Sequence, residues 1–114
     1  GNNEPDIAYP TKFHLWEICE NTALRVGDKI VKNIEQKDLS VCKWPKIYED
    51  KNNGGVIWYP EDCGSDRFAA GFDCYLAANH TEQAFTIETP LGWKLEERVL
   101  ANLISIKTVL KEKR

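Results

Sequence analysis

Four cysteines are the residues of this 114-residue chain best placed to do chemistry: Cys19, Cys42, Cys63 and Cys74, spaced by 23, 21 and 11. No two form a C-x-x-C pair, so a thioredoxin-like redox motif is absent. Zinc ribbons and knuckles clamp one metal between close ligand pairs, and no ligands here share that spacing. Even number and wide spacing point to two disulfides, with buried thiols as the alternative. Of three possible connectivities, Cys63–Cys74 is favoured because Gly64 and Ser65 let that segment fold back, leaving Cys19–Cys42 as the second bridge. Such staples imply an oxidising compartment, the periplasm or the outside of a cell.

Other chemistry is thinner. A cysteine nucleophile needs a thiolate beside a base. His14 lies five residues before Cys19, and His80 follows Asp73–Cys74, neither an assembled pair. Both histidines read as surface groups. Glu61, Asp62 and Asp66 flank Cys63 but lack the ordered spacing of a calcium loop, and read as a solvated turn. Asn79-His80-Thr81 has the form of a glycosylation acceptor. No catalytic constellation, metal site or cofactor motif emerges, so the sequence reads as a non-enzyme with no cofactor.

Aromatic residues give the strongest binding signal, with four each of Trp, Tyr and Phe. Trp44, Trp58 and Tyr59 fall on one proposed hairpin, and Phe72 and Tyr75 flank Cys74. Successive strand residues point to opposite faces, so Trp58 and Tyr59 cannot both enter one core. An aromatic lining suits a small apolar ligand or a partner protein. A small sheet filling its own core with large residues is the structural alternative.

These residues must be positioned by a limited set of elements. Residues 1–10, with Pro5 and Pro10, form an extended lead-in. The chain starts on Gly and contains no Met, which suggests that a signal or membrane anchor has been removed. From Thr11, Trp16, Cys19, Ala23, Val26, Ile30 and Ile34 make a helical stripe. Gly27 inside the run allows a break, and the alternative is a short strand over Phe13–Cys19 followed by a separate helix. Residues 40–48 and 56–59 read as a hairpin across Asn52-Asn53-Gly54-Gly55. Residues 67–78 alternate as a strand, with a helix as the rival reading, and 83–89 is the partner strand. Leu95, Val99, Leu103, Ile106 and Leu110 form the stripe of a C-terminal helix, taken to face the sheet.

The expected fold is therefore α+β. A small antiparallel sheet of about four strands is flanked by an N-terminal and a C-terminal helix in a disulfide-stapled two-layer sandwich. One domain spans 11–114, with a core of modest size. Net charge is −3, against nucleic-acid binding, and 42% hydrophobic residues argue against disorder. In architecture alone the chain resembles the extracytoplasmic domains of membrane-anchored regulators. That resemblance implies a periplasmic or secreted sensing or accessory domain, in signalling, that binds a partner protein or small apolar ligand. The alternative is an inhibitor or immunity protein that blocks an enzyme or toxin.

Overall fold

The computed structural model describes residues 10–19, 21–59 and 83–112. Among the described residues the fold is mixed α+β, a small sheet with two α-helices. Strand β1 (His14–Ile18) lies at the centre of three strands. On one side it pairs in parallel with β4 (Val56–Tyr59), and on the other antiparallel with β5 (Ala84–Glu88). The expected wholly antiparallel sheet is thus corrected, because β4 joins β1 and not the segment just before it.

Alternation along β1 divides the core into two. Leu15 and Glu17 point to one face, where Val56 and Trp58 of β4 and Ile87 and Phe85 of β5 share their rows. Helix α1 (Gly27–Gln36) covers this face with Ile30, Val31 and Ile34. The C-terminal helix α2 (Leu95–Glu112) packs against α1 and adds the fully buried Ala101. The opposite face carries Trp16 and Ile57, covered by Cys42 and Ile47.

The N-terminal segment follows the second of its two sequence readings: a strand, then a separate helix that begins at Gly27. Residues 46–51 form their own short hairpin, β2 (Lys46–Ile47) against β3 (Asp50–Lys51). Its two turn residues, Tyr48 and Glu49, both hold positive φ, as a two-residue hairpin of matching twist requires. The Asn52–Gly55 turn does exist, but it closes on Val56 and delivers the chain into β4. The Asn52 side chain holds it, donating to Cys42 O at 3.0 Å and Trp44 O at 2.7 Å and accepting from Gly55 N at 2.8 Å.

The Cys19–Cys42 bridge is not formed; both residues are buried thiols. The reason is distance. Cys42 N bonds to Phe13 O at the start of β1, whereas Cys19 follows its end. Six residues of strand separate those points, roughly 20 Å, and a disulfide needs Cα atoms within about 7 Å. The Cys19 Sγ instead donates to Asn21 O at 3.2 Å. Cys63 and Cys74, and the element at 67–78, lie outside the described residues.

The C-terminal helix is where the sequence places it, but with the other face inward. Ala101, Ser105 and Thr108 are buried against the body of the protein. Asn33 of α1 donates to Thr108 Oγ1 at 2.9 Å, and Lys29 pairs with Glu112 at 2.7 Å. Leu95, Val99, Leu103, Ile106 and Leu110, expected to pack on the sheet, are exposed. Small residues allow close approach of α1, so the contact is made by Ala and Ser and not by the aliphatic stripe.

Candidate functional site

Two polar constellations grow out of β1, one on each face. On the helix face, Glu17 is fully buried, and its carboxylate oxygens accept four hydrogen bonds. Oε2 accepts from Val26 N at 2.7 Å and Gln83 Nε2 at 2.8 Å. Oε1 accepts from Gly27 N at 2.9 Å and the Trp58 indole N–H at 2.7 Å. The backbone donor to each oxygen, Val26 N and Gly27 N, comes from the start of α1. Val26 precedes α1 and offers no side-chain cap, so a strand carboxylate supplies the cap and meets the positive end of the helix dipole. Gly27 makes room for it: a Cβ there would sit 2.7 Å from Glu17 Oε1 and 2.7 Å from Val56 Cγ1. Arg25 lies over the Trp58 ring at 5.4 Å and donates to Cys19 O at 3.0 Å. Gln83 also donates to Leu24 O at 2.9 Å, tying the start of β5 to the loop before α1. Every site on this carboxylate is occupied by a donor, so the cluster is an anchor, not a vacant pocket.

On the other face and at the end of the sheet lies a cleft of about 520 Å³. His14 and Glu88 line it, with Tyr48, Pro90, Leu91 and Trp93 among the walls. His14 and Glu88 sit directly opposite each other in the β1–β5 ladder, which places their side chains on one face as neighbours. His14 is only 4% exposed, and neither ring nitrogen has a hydrogen-bond partner. Burial therefore pushes its pKa below the usual 6.5. The Lys12 backbone opposes that shift, though it makes no hydrogen bond to either ring nitrogen by geometry. A buried neutral imidazole with both nitrogens open beside a carboxylate can accept or donate one hydrogen bond to a ligand and move a proton.

The sequence reading of His14 as a surface group is corrected by this burial. The signal was available: in a strand, His14 shares the face of Trp16 and Ile18, so the segment's own alternation turns it inward. Glu17 was not singled out at all, since a mid-strand acid announces no helix cap when the helix begins ten residues later.

The residues expected to bind a ligand are dispersed. Trp58 is half-buried on the helix face within the Glu17 network. Trp44 is 42% exposed, in the loop whose Cys42 and Ile47 cover the opposite face. Tyr59 ends β4, and its side chain, like Phe72 and Tyr75, lies outside the described residues. No three His, Cys, Asp or Glu side chains come together as metal ligands among the described residues. Among them, too, no helix is long and apolar enough to cross a membrane.

No protein-family model matches the sequence, and no curated protein does. Solved structures do. A chain from Shewanella amazonensis SB2B named a "putative metallopeptidase" superposes with a TM-score of 0.70 at 18% identity. The match covers 90% of this chain and 36% of that one. A chain of the same name from Shewanella denitrificans OS217 gives a TM-score of 0.68 at 17% identity, with coverages of 90% and 36%. The present chain thus spans about a third of the length of these proteins and shares its fold with that third. This corrects the functional expectation. The fold found is shared with part of chains named "putative metallopeptidase", and this overturns the expected sensing or accessory domain and its inhibitor alternative. It equally removes the ground for setting an enzyme aside. The signalling character inferred from the sequence goes with the sensing domain, and the disulfide staple is not supported, since Cys19 and Cys42 are free thiols.

Proposed function

We propose that this chain forms the substrate-facing part of a peptidase-type hydrolase, with the His14–Glu88 cleft receiving a peptide or a related amide. The observation that carries the reading is the buried, unpartnered imidazole of His14 set across the ladder from Glu88 in a cleft walled by Trp93 and Tyr48. The likeness to chains named "putative metallopeptidase" supports the class of reaction.

The cleft's chemistry fits an amide ligand. An amide offers one acceptor and one donor. His14 supplies either function from its two ring nitrogens, and Glu88 accepts from N–H or takes up a proton. Trp93, Leu91 and Pro90 give an apolar wall for a neighbouring side chain. A metallopeptidase needs in addition a divalent ion held by about three side chains. The described residues do not assemble such a set, so they do not fit a complete metal centre.

The test is a panel of short peptides, assayed for cleavage with and without added Zn²⁺ and for binding by the His14 imidazole NMR signals. Binding should shift those signals, and cleavage should fall with His14→Ala and with Glu88→Gln while the circular dichroism is retained. Peptides that neither shift His14 nor are cleaved, at millimolar concentration and with the metal present, refute the reading.

A further inference from the structure

The C-terminal helix presents an apolar stripe that nothing among the described residues covers. At 100° per residue, Leu95, Val99, Leu103, Ile106 and Leu110 fall within an arc of about 80°. They are between 47% and 70% exposed. Ala101, Ser105 and Thr108, the face packed on α1, lie on the far side of the same helix. The helix is therefore apolar outward and small or hydroxylated inward, the reverse of a surface helix. Five large aliphatic side chains in one exposed row mark a contact surface.

We propose that this stripe is the interface of a homodimer, in which α2 packs antiparallel against α2 of a second copy about a two-fold axis near Asn102 and Leu103. Two features select that occupant. The first is the row's own symmetry. About that point Leu95 lies opposite Leu110 of the second copy and Val99 opposite Ile106, with Leu103 beside Asn102 at the axis. Where the row ends, Phe85, Ile87, Ile106, Val109 and Leu110 line an apolar hollow of about 190 Å³ with Ser105. In the antiparallel arrangement Leu95 of the second copy arrives beside it. The second feature is charge. Glu96 flanks the stripe in the first turn, and Lys107 and Lys111 flank it on the same side near the end. In an antiparallel pair, residues on the same flank face one another. Glu96 then stands within about 3 Å along the axis of both Lys107 and Lys111 of the second copy. A parallel pair would set this flank against the opposite flank of the second copy and take Glu96 out of reach of Lys107 and Lys111, so the pattern favours antiparallel and self-complementary packing.

The helix is about 27 Å long, and a contact of that length falls at the small end of stable interfaces, so association is weak and concentration-dependent.

Sedimentation velocity from about 1 µM to about 500 µM tests it, the range in which a weak contact of this size titrates. The wild-type mass should move from one chain to two. Leu103→Glu, at an exposed position that leaves the fold intact by circular dichroism, should weaken association on the order of 30-fold or more. Glu96→Lys alone should weaken it, and Glu96→Lys combined with Lys107→Glu and Lys111→Glu should restore it. The restoration distinguishes this pairing from every other occupant and stands even if Leu103→Glu impairs folding. A single chain at all concentrations overturns the proposal. So does association indifferent to the charge series, or a stripe that instead partitions onto phosphatidylglycerol vesicles without pairing.

Discussion

Replacing Glu17 tests whether a strand side chain holds the start of α1. In Glu17→Gln one oxygen remains where two accepted four hydrogen bonds. If it keeps the Oε1 position, Gly27 N and the Trp58 indole retain their acceptor. The new NH₂ then confronts Val26 N–H, which is left buried without a partner. Gln83 can turn its amide to present oxygen, but in doing so gives up its bond to Leu24 O. One orphaned buried donor costs about 1–3 kcal/mol, and the lost charge at the helix N-terminus about 0.3–1 kcal/mol more. The expected loss is therefore about 2–3 kcal/mol. Glu17→Ala removes both oxygens, orphaning Val26 N–H, Gly27 N–H and the indole together, and should cost about 4 kcal/mol or more. Against a total of about 5–15 kcal/mol, that removes from about a quarter to most of the stability.

Urea unfolding measures both losses, read as a lower midpoint at constant slope. The indole N–H resonance of Trp58 reports the local event. It should move in Glu17→Ala and stay nearer its place in Glu17→Gln. A double-mutant cycle with Trp58→Phe should show coupling of at least about 0.5 kcal/mol, since the two share a hydrogen bond. Glu17→Gln within about 0.5 kcal/mol of wild type, with an unmoved indole signal, would refute the capping argument; surface changes have that magnitude.

Three further outcomes follow from the same geometry. His14 has its pKa lowered by burial, so the unfolded chain takes up a proton first as pH falls below about 6.5, and stability drops until the lowered folded pKa is reached. The drop should approach about 1.4 kcal/mol per pH unit and shrink in His14→Gln, as read from urea midpoints between about pH 7 and pH 5. Gly27→Ala should destabilise by about 1–3 kcal/mol although alanine favours helix, because its Cβ meets Glu17 Oε1 and Val56 Cγ1; a stabilised variant would show that the carboxylate can retreat. Ala101→Leu should cost about 1–3 kcal/mol by overpacking the α1 contact, while Leu103→Ala in a dilute sample should cost under about 1 kcal/mol. The reverse order would put the buried face of α2 on the aliphatic side.

Those last two substitutions also show where sequence and structure part. The helix at 95–112 is legible from its period and from Glu96 and Glu97 in the first turn, and Glu97 does accept from Lys94 N at 3.0 Å. Its inward face is not legible, because periodicity reports which residues share a side and not which neighbour takes that side. The strand at 84–88 and the turn at 52–55 are read from local chemistry alone and stand where local chemistry puts them. The partner of β4 is a different kind of fact. A run such as Val56–Tyr59 carries no mark of whether β1 or the segment before it will accept its hydrogen bonds; here a self-contained hairpin at 46–51 satisfies its own backbone and frees β4 to join β1 in parallel. The candidate site inherits the same division. His14 is recoverable once β1 is taken as a strand, for alternation then buries it beside Trp16. Its neighbour Glu88 is not, since only the β1–β5 register, set over 70 residues apart, brings imidazole and carboxylate to one cleft. Glu17 is least legible of all: its role depends on a glycine that permits close approach, an indole from the parallel strand and a glutamine before β5, three contacts from three separate stretches of chain. Chemistry assembled across a sheet is in this way more exposed to topology than the elements that carry it. A substitution at Glu17 or His14 therefore tests the topology as directly as it tests the site.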